Sequence, residues 1–222
     1  MSVVPSCPAV TLAGQLIVLE PLTLAAVPEL LAAAREDRSS YQFTHVPAEA
    51  GDMTAYVAMA IAEQQQGRGL PFTIRERGTG RVVGSTRFLH LSYWNSTPPW
   101  QRAEHLAAGT TPDAADIGYT WLAATAQRSG VNTEAKYLML AYAFEEWRAS
   151  RISLKADVRN LRSRRAIESL GAHLEGVRRA EYLSGDGLVR DTAYYSVLAA
   201  EWPPLRDRLL NRLVRVCPLQ PA

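Results

Sequence analysis

Short runs of strand-forming residues alternate with stretches of helical period along most of this chain. Leu16 to Leu19 reads as a short strand ahead of Pro21, and Ala25 to Arg35 has helical spacing with Pro28 near its entrance. From about Asp52 to Gln66, Met53, Tyr56, Val57, Ala60 and Ile61 recur on one helical face and predict a buried stripe. The irregular segment between these helices carries Tyr41, Phe43 and His45, placed either to shape a substrate entrance or simply to pack. Phe72 to Arg75, the turn residues RGTG and Val82 to Leu89 give the clearest hairpin signal, with Gly78 and Gly80 supplying the turn.

After Tyr93 the run WNSTPPWQRAEHLAAGTTPD is broken by Pro98, Pro99 and Pro112, and reads as an excursion at one edge of a sheet. Ile117 to Leu122 then predicts a strand and Glu134 to Trp147 a helix. In that helix Ala135, Leu138, Met139, Tyr142 and Trp147 face the sheet, and Lys136, Glu145 and Arg148 stay wet. A strand from Arg151 to Val158 leads to a short helix from about Ser163 to Ser169, which Gly171 is placed to end. His173 to Arg178 and Ala193 to Leu198 read as the last strands, joined through SGDG. Beyond Trp202 lies a charged, Pro-bounded tail with a short helix at Leu205 to Leu213. This order implies an α/β fold in one domain, with a core at about residues 16–198 and a C-terminal extension.

Composition narrows the function more by exclusion than by assertion. A hydrophobic share of 47% over 222 residues is enough for a substantial core. Lys and Arg number 24 against 22 Asp and Glu, so the formal charge of +2 gives no nucleic-acid footprint. Arginines cluster at Arg162 to Arg165 and at Arg178 and Arg179, where they suit local anion contacts. Cys7 and Cys217 alone make no disulfide scaffold, which favours a reducing compartment. No secretory flank and no apolar run of membrane-spanning length is present, so the expectation is a cytoplasmic protein with no membrane partner. His45, His90, His105 and His173 lack ligand spacing, which argues against a metal site.

The chemistry concentrates in DIGYTWLAATAQRSGVNTEAK, Asp116 to Lys136, which joins a strand pattern to a helix pattern through a glycine-containing turn. With a strand over Ile117 to Leu122 and a helix starting at Thr133, the amides around Arg128 to Thr133 converge. Free donors at a helix N-terminus favour a phosphate there. No GxGxxG follows an early strand, so dinucleotide oxidoreduction is the weaker alternative.

The strand IGYTWL, the loop QRSGVNTEAK and the later DVRNLRSRRAIESLGAHLEG together closely resemble the GCN5-related N-acetyltransferase (GNAT) superfamily, especially its ribosomal-protein and small-molecule branch. The resemblance runs from about Leu16 to Leu198. It implies a mixed, strongly twisted sheet flanked by helices and splayed between its fourth and fifth strands, with acetyl-CoA as cosubstrate in the opening. On this resemblance Gln127, Arg128, Ser129, Gly130, Val131 and Asn132 form the pyrophosphate loop, with Thr133 at the helix entrance. Asn132 departs from the family's usual small residue. The pantetheine arm would lie beside Trp121 and Leu122 in the manner of an added strand, and the carboxamide of Asn160 would bind it. The plainer role of Asn160 is to cap the helix that follows, which does not exclude the first.

The reaction so implied moves acetyl from the thioester of acetyl-CoA to a protein N-terminal amine or a small primary amine by direct transfer. A backbone amide at Leu122 would face the developing oxyanion. Ser163, the serine of NLRS, matches the branch's thiolate-side residue, with a helix cap as its plainer role. The segment AEYLSGDG resembles the branch's acidic acceptor-side stretch and makes Glu181 the candidate to steer or deprotonate the amine, against a surface salt bridge. Asp186 and Asp191 are alternatives and Tyr182 a candidate pocket wall. Arg162 to Leu170 holds no tyrosine, so the tyrosine acid used by many relatives is not carried over. A non-catalytic acyl-CoA-binding sensor is the competing function.

Overall fold

In the computed structural model, which describes residues 7–94 and 111–216, the strands form one eight-stranded sheet. They are β1 (Leu12–Ala13), β2 (Ile17–Pro21), β3 (Gly69–Glu76), β4 (Val82–Ser92), β5 (Ala114–Leu122), β6 (Arg151–Asp157), β7 (His173–Leu183) and β8 (Val189–Leu198), ordered β1-β2-β3-β4-β5-β6-β8-β7. Every neighbouring pair is antiparallel except β5 and β6. The α-helices are α1 (Val27–Arg35), α2 (Ala50–Gln65), α3 (Val131–Ala141), α4 (Leu161–Leu170) and α5 (Trp202–Val216). The mixed, helix-flanked α/β fold read from the sequence is the one observed.

The hairpin of β3 and β4 forms where the turn residues allow it. Gly80, at φ 69°, takes the left-handed conformation that a Cβ resists, and its amide returns to the Glu76 carbonyl at 2.9 Å. β3 is buried along its first six residues, with Leu70, Phe72 and Ile74 fully enclosed. On α2, Met53, Tyr56, Val57 and Ala60 are buried, as their spacing predicts. The α4 helix starts on Asn160, whose Oδ1 accepts the Ser163 amide at 3.0 Å, and stops at Gly171, at φ 97°.

Several expectations need correction. α3 begins at Val131, two residues before Thr133, because Gly130 at φ 90° supplies the left-handed N-cap. Its last turn widens into a π-helical segment, Tyr142–Glu146. Lys136 is not wet: it is 5% exposed, and Glu134 is 3% exposed. The C-terminal segment is a full helix rather than a tail, with Trp202, Leu205, Leu209 and Leu213 buried and the Trp202 ring against Phe144 and Tyr137. β7 runs on to Leu183 through an irregularity between Arg178 and Tyr182. Most of the proline-rich excursion lies outside the described residues.

The sheet parts in its middle. β5 and β6 pair from Ala114↔Arg151 to Ile117↔Leu154 and then stop, although β5 continues to Leu122 and β6 to Asp157. On its other side β5 stays paired with β4, but through a bulge: Gly118 faces Arg87 and Trp121 faces Ser85, so Tyr119 and Thr120 oppose Thr86 alone. Tyr119 absorbs the extra residue at φ 48°. Close contact holds this stretch together, since a Cβ on Gly84 would lie 2.1 Å from the Trp121 carbonyl oxygen.

Candidate active site

The split leaves one edge of upper β5 without a strand partner. Ala123 N donates to Val83 O at 2.8 Å, so by the alternation of an antiparallel ladder the next pair, Gly84 with Leu122, turns its peptide groups away from β4. Leu122 therefore aims its amide and carbonyl into the opening. The carbonyl accepts from Tyr41 Oη at 2.8 Å and from Gln127 Nε2 at 3.1 Å. Trp121, beside it, is buried and meets Tyr41 edge to face at 6.2 Å between centroids.

Above the split the loop from Gln127 to Gly130 enters α3. Arg128 at φ 62° and Gly130 at φ 90° bend it twice into left-handed conformations. Ser129 Oγ donates to the Ala126 carbonyl at 2.6 Å and stiffens the turn. Glu134 N is the first amide of α3 with a backbone acceptor, Gly130 O at 2.9 Å. The amides of Arg128, Ser129, Gly130, Val131, Asn132 and Thr133 have no acceptor among the described residues. Such a nest of free donors at the positive end of a helix fits a phosphate. Asn132 lies within the first turn of the helix and needs no glycine-like freedom, so its departure from the small residue does not distort the loop.

The head of α4 faces this loop. Arg162 reaches Gln127 Oε1 at 3.2 Å and Ser40 O at 2.5 Å, bringing α4 beside the phosphate-type loop and the turn after α1. Arg159 pairs with Asp157 at 2.7 Å and Asp186 at 2.9 Å, with its guanidinium over the Phe43 ring. Thus Leu122, Gln127 and Arg162 are joined by hydrogen bonds at one end of the opening. The Asn160 Oδ1 is engaged in capping, and the Ser163 hydroxyl has no hydrogen-bond partner among the described residues.

Glu181 stands farther out, on β7. Its carboxylate, with 7% of the side chain exposed, accepts from Tyr194 Oη and from Arg178 at 2.8 Å. Burial alone would raise its pKa, but hydrogen bonds from Tyr194, Thr192 and Arg178 and the charge of Arg178 outweigh that and hold the carboxyl below its ordinary value. The salt bridge anticipated as its plainer role is therefore present. Asp191 accepts the Ala180 amide at 2.8 Å, and Tyr182 is exposed.

Sequence reasoning missed Arg87, Tyr119 and Lys136 as notable groups. Arg87 is 1% exposed, stacked 3.6 Å beneath the Tyr119 ring centroid and 5.2 Å from that of Tyr56. A charged residue in the middle of a strand whose neighbours Val82, Val83, Phe88 and Leu89 are apolar was the available signal. The bulge that places Tyr119 leaves no mark on hydrophobic periodicity. No group of His, Cys, Asp and Glu among the described residues has the arrangement of a metal site, and no described helix is long and apolar enough to cross a membrane.

The family model of the acetyltransferase (GNAT) domain matches residues 17–173. Over 88 residues the chain is 39% identical to the Bacillus subtilis (strain 168) protein named "Putative ribosomal N-acetyltransferase YdaF". That match covers 40% of this chain and 47% of the relative, so the aligned part spans about half of the relative's length. A crystal structure of a "putative acetyltransferase" from T. thermophilus is similar across 94% of this chain and 98% of its own, with 32% identity and a TM-score of 0.72. Mycobacterium smegmatis RimJ in complex with CoA-disulfide shares the fold at 22% identity and a TM-score of 0.72, over 93% of each chain.

Proposed function

Because this chain belongs to the GNAT acetyltransferase family, whose cosubstrate is acetyl-CoA, we propose that it transfers the acetyl group to a protein N-terminal amine or a small primary amine by direct attack. The observation that carries the reading is the parting of β5 from β6 beyond Ile117, with the Leu122 amide aimed into the gap and, above it, six amides from Arg128 to Thr133 that have no acceptor among the described residues. These donors suit the two parts of the cosubstrate that need them. The loop amides would hold the pyrophosphate, and the edge of β5 at Trp121 and Leu122 would pair with the amide-bearing arm.

Acetyl-CoA brings an activated thioester carbonyl; the chain supplies placement and charge. The acceptor ammonium gives up one proton to solvent, its nitrogen bonds to the carbonyl carbon, the nitrogen sheds its second proton as the carbon–sulfur bond breaks, and the thiolate takes up a proton on leaving. The Leu122 amide is a fixed donor for the oxyanion formed on the way. Ser163, with its hydroxyl free of partners among the described residues, hydrogen-bonds the departing sulfur. Asn160, already capping α4 through Oδ1, keeps its amide hydrogens for the cosubstrate arm. Glu181 fits steering of a cationic amine better than proton abstraction, because its lowered pKa keeps it ionised and makes it a poor base.

Incubation with acetyl-CoA and separate peptide and amine panels, read by product mass, tests the transfer and divides the two acceptor classes. Ser163→Ala is expected to lower kcat on the order of 10²-fold with little change in KM. Glu181→Gln is expected to raise KM for cationic acceptors while sparing kcat. Tight acetyl-CoA binding without product from any amine would replace transfer by a sensing role.

A further inference from the structure

One face of the sheet carries four buried polar atoms with no partners among the described residues. Thr73 faces Ser85 across β3 and β4, Ser85 faces Trp121 across β4 and β5, and Arg87 follows Ser85 by two residues on a stretch of β4 that pairs regularly with β3, the bulge lying on β5, so all four share one face. That face is the one covered by Tyr56 of α2 and by Tyr41. On it Thr73 Oγ1, Trp121 Nε1, Arg87 Nε and Arg87 Nη2 are buried without a hydrogen bond. Three of the four are obligate donors. Buried polar groups in folded proteins are nearly always paired, so a concentration of unpaired donors on one face calls for an acceptor from outside the chain.

Arg87 is the centre of this cluster. Its acidic partner among the described residues is Glu63, at 2.9 Å from Nη1. Tyr119 lies over the guanidinium, its centroid 3.6 Å from Cζ, and Tyr56, 5.2 Å from Cζ and 6.3 Å from Tyr119, packs to one side of it and not on the opposite face; a ring over the face leaves the in-plane N–H groups free. The free pair, Nε and Nη2, is the edge on which a carboxylate docks with two parallel hydrogen bonds. Its position matches the reaction: Arg87 lies opposite Gly118, the first residue of β5 beyond the last rung shared with β6. The ring above it, Tyr119, is 45% exposed and sits on the bulge, so the guanidinium is separated from solvent on that side by one side chain.

We propose that the acceptor is an amine bearing a carboxylate, and that the Nε/Nη2 edge of Arg87 binds that carboxylate, with the Tyr119 ring turning aside to admit it. The assignment rests on the acetyl-transfer reading and narrows its acceptor. Trp121 Nε1 and Thr73 Oγ1 give further hydrogen bonds to oxygens of the same molecule. Arg87 is a specificity residue here; it takes no part in proton transfer.

The test compares L-amino acids and ω-amino acids with their own carboxamides as acceptors for the full chain. At least one free carboxylate is expected to exceed its carboxamide in kcat/KM by about tenfold or more, mainly through KM. In Arg87→Lys and Arg87→Met, with acetyl-CoA affinity as the check on folding, that preference is expected to fall toward one. Equal kcat/KM for carboxylate and carboxamide pairs in the unmodified chain overturns the proposal without any variant, and so does an unchanged preference in a folded Arg87 variant. Transfer to amines without a carboxylate preference refutes only the role of Arg87. Absence of transfer to every amine refutes the acetyl-transfer reading on which it stands.

Discussion

Two buried cations lie back to back across β4 and β5, and they are buried on different terms. Lys136 comes from α3 on one face and donates to Thr120 Oγ1 at 2.7 Å and Thr86 Oγ1 at 3.2 Å. Burial pushes its ammonium down to about 7, so it sheds its charge near neutral pH and settles as a neutral amine between two hydroxyls. Arg87, the next residue along β4 from Thr86, lies on the other face. A guanidinium does not have that exit, and Arg87 keeps a charge answered by one carboxylate and two aromatic rings. A lysine can be buried for structure alone because it can discharge. A buried arginine with an unused donor edge points to something that comes and goes.

The largest test of this contrast is Lys136→Met. Between about pH 7 and the unfolded value of 10.5 the unfolded chain holds the proton and the folded chain does not, so stability rises with pH across that window. Denaturation at about pH 7 and about pH 9.5 is expected to show a gain on the order of 3 kcal/mol in the unmodified chain and little of it in Lys136→Met. Gly84→Ala acts on the strand pair that carries Arg87 and the two hydroxyl partners of Lys136, driving a methyl group toward the Trp121 carbonyl oxygen, and is expected to cost roughly 1–3 kcal/mol in urea unfolding. The smallest stability effect is expected from Arg87→Met. The methionine keeps much of the packing, Glu63 is already 31% exposed, and the change in unfolding free energy stays within about 1 kcal/mol. A large loss there would make Arg87 a structural cation like Lys136, and the contrast would disappear.

What was legible in the sequence was what is determined locally. The RGTG hairpin, the stripe on α2 and the stop at Gly171 all depend on residues within a turn or two of each other, and the structure reproduces them. The loop from Gln127 to Thr133 was legible for the same reason, although the left-handed Gly130 starts the helix two residues earlier than expected. Periodicity misjudged Lys136 because its polar partners, Thr86 and Thr120, come from strands distant in sequence. It gave no sign of the packing of α5, since the aromatic seat for Trp202 is built by Tyr137 and Phe144 of a much earlier segment. Arg87 illustrates the general limit. Its type was visible, but whether an arginine in a strand faces water or tyrosine rings depends on a neighbouring strand and a helix that the strand itself does not specify.

Glu134 bears on how the chain assembles in time. Its carboxylate accepts the amides of Gln15, Leu16 and Ile17 at 2.7, 2.8 and 2.8 Å, across sequence separations of 119, 118 and 117 residues. The first strands of the sheet are thus fastened by a side chain made far later, and during synthesis they wait for α3 to emerge. Closing so long a loop is slow compared with forming the hairpin of β3 and β4, which makes docking of the amino-terminal strands onto α3 a late event in folding.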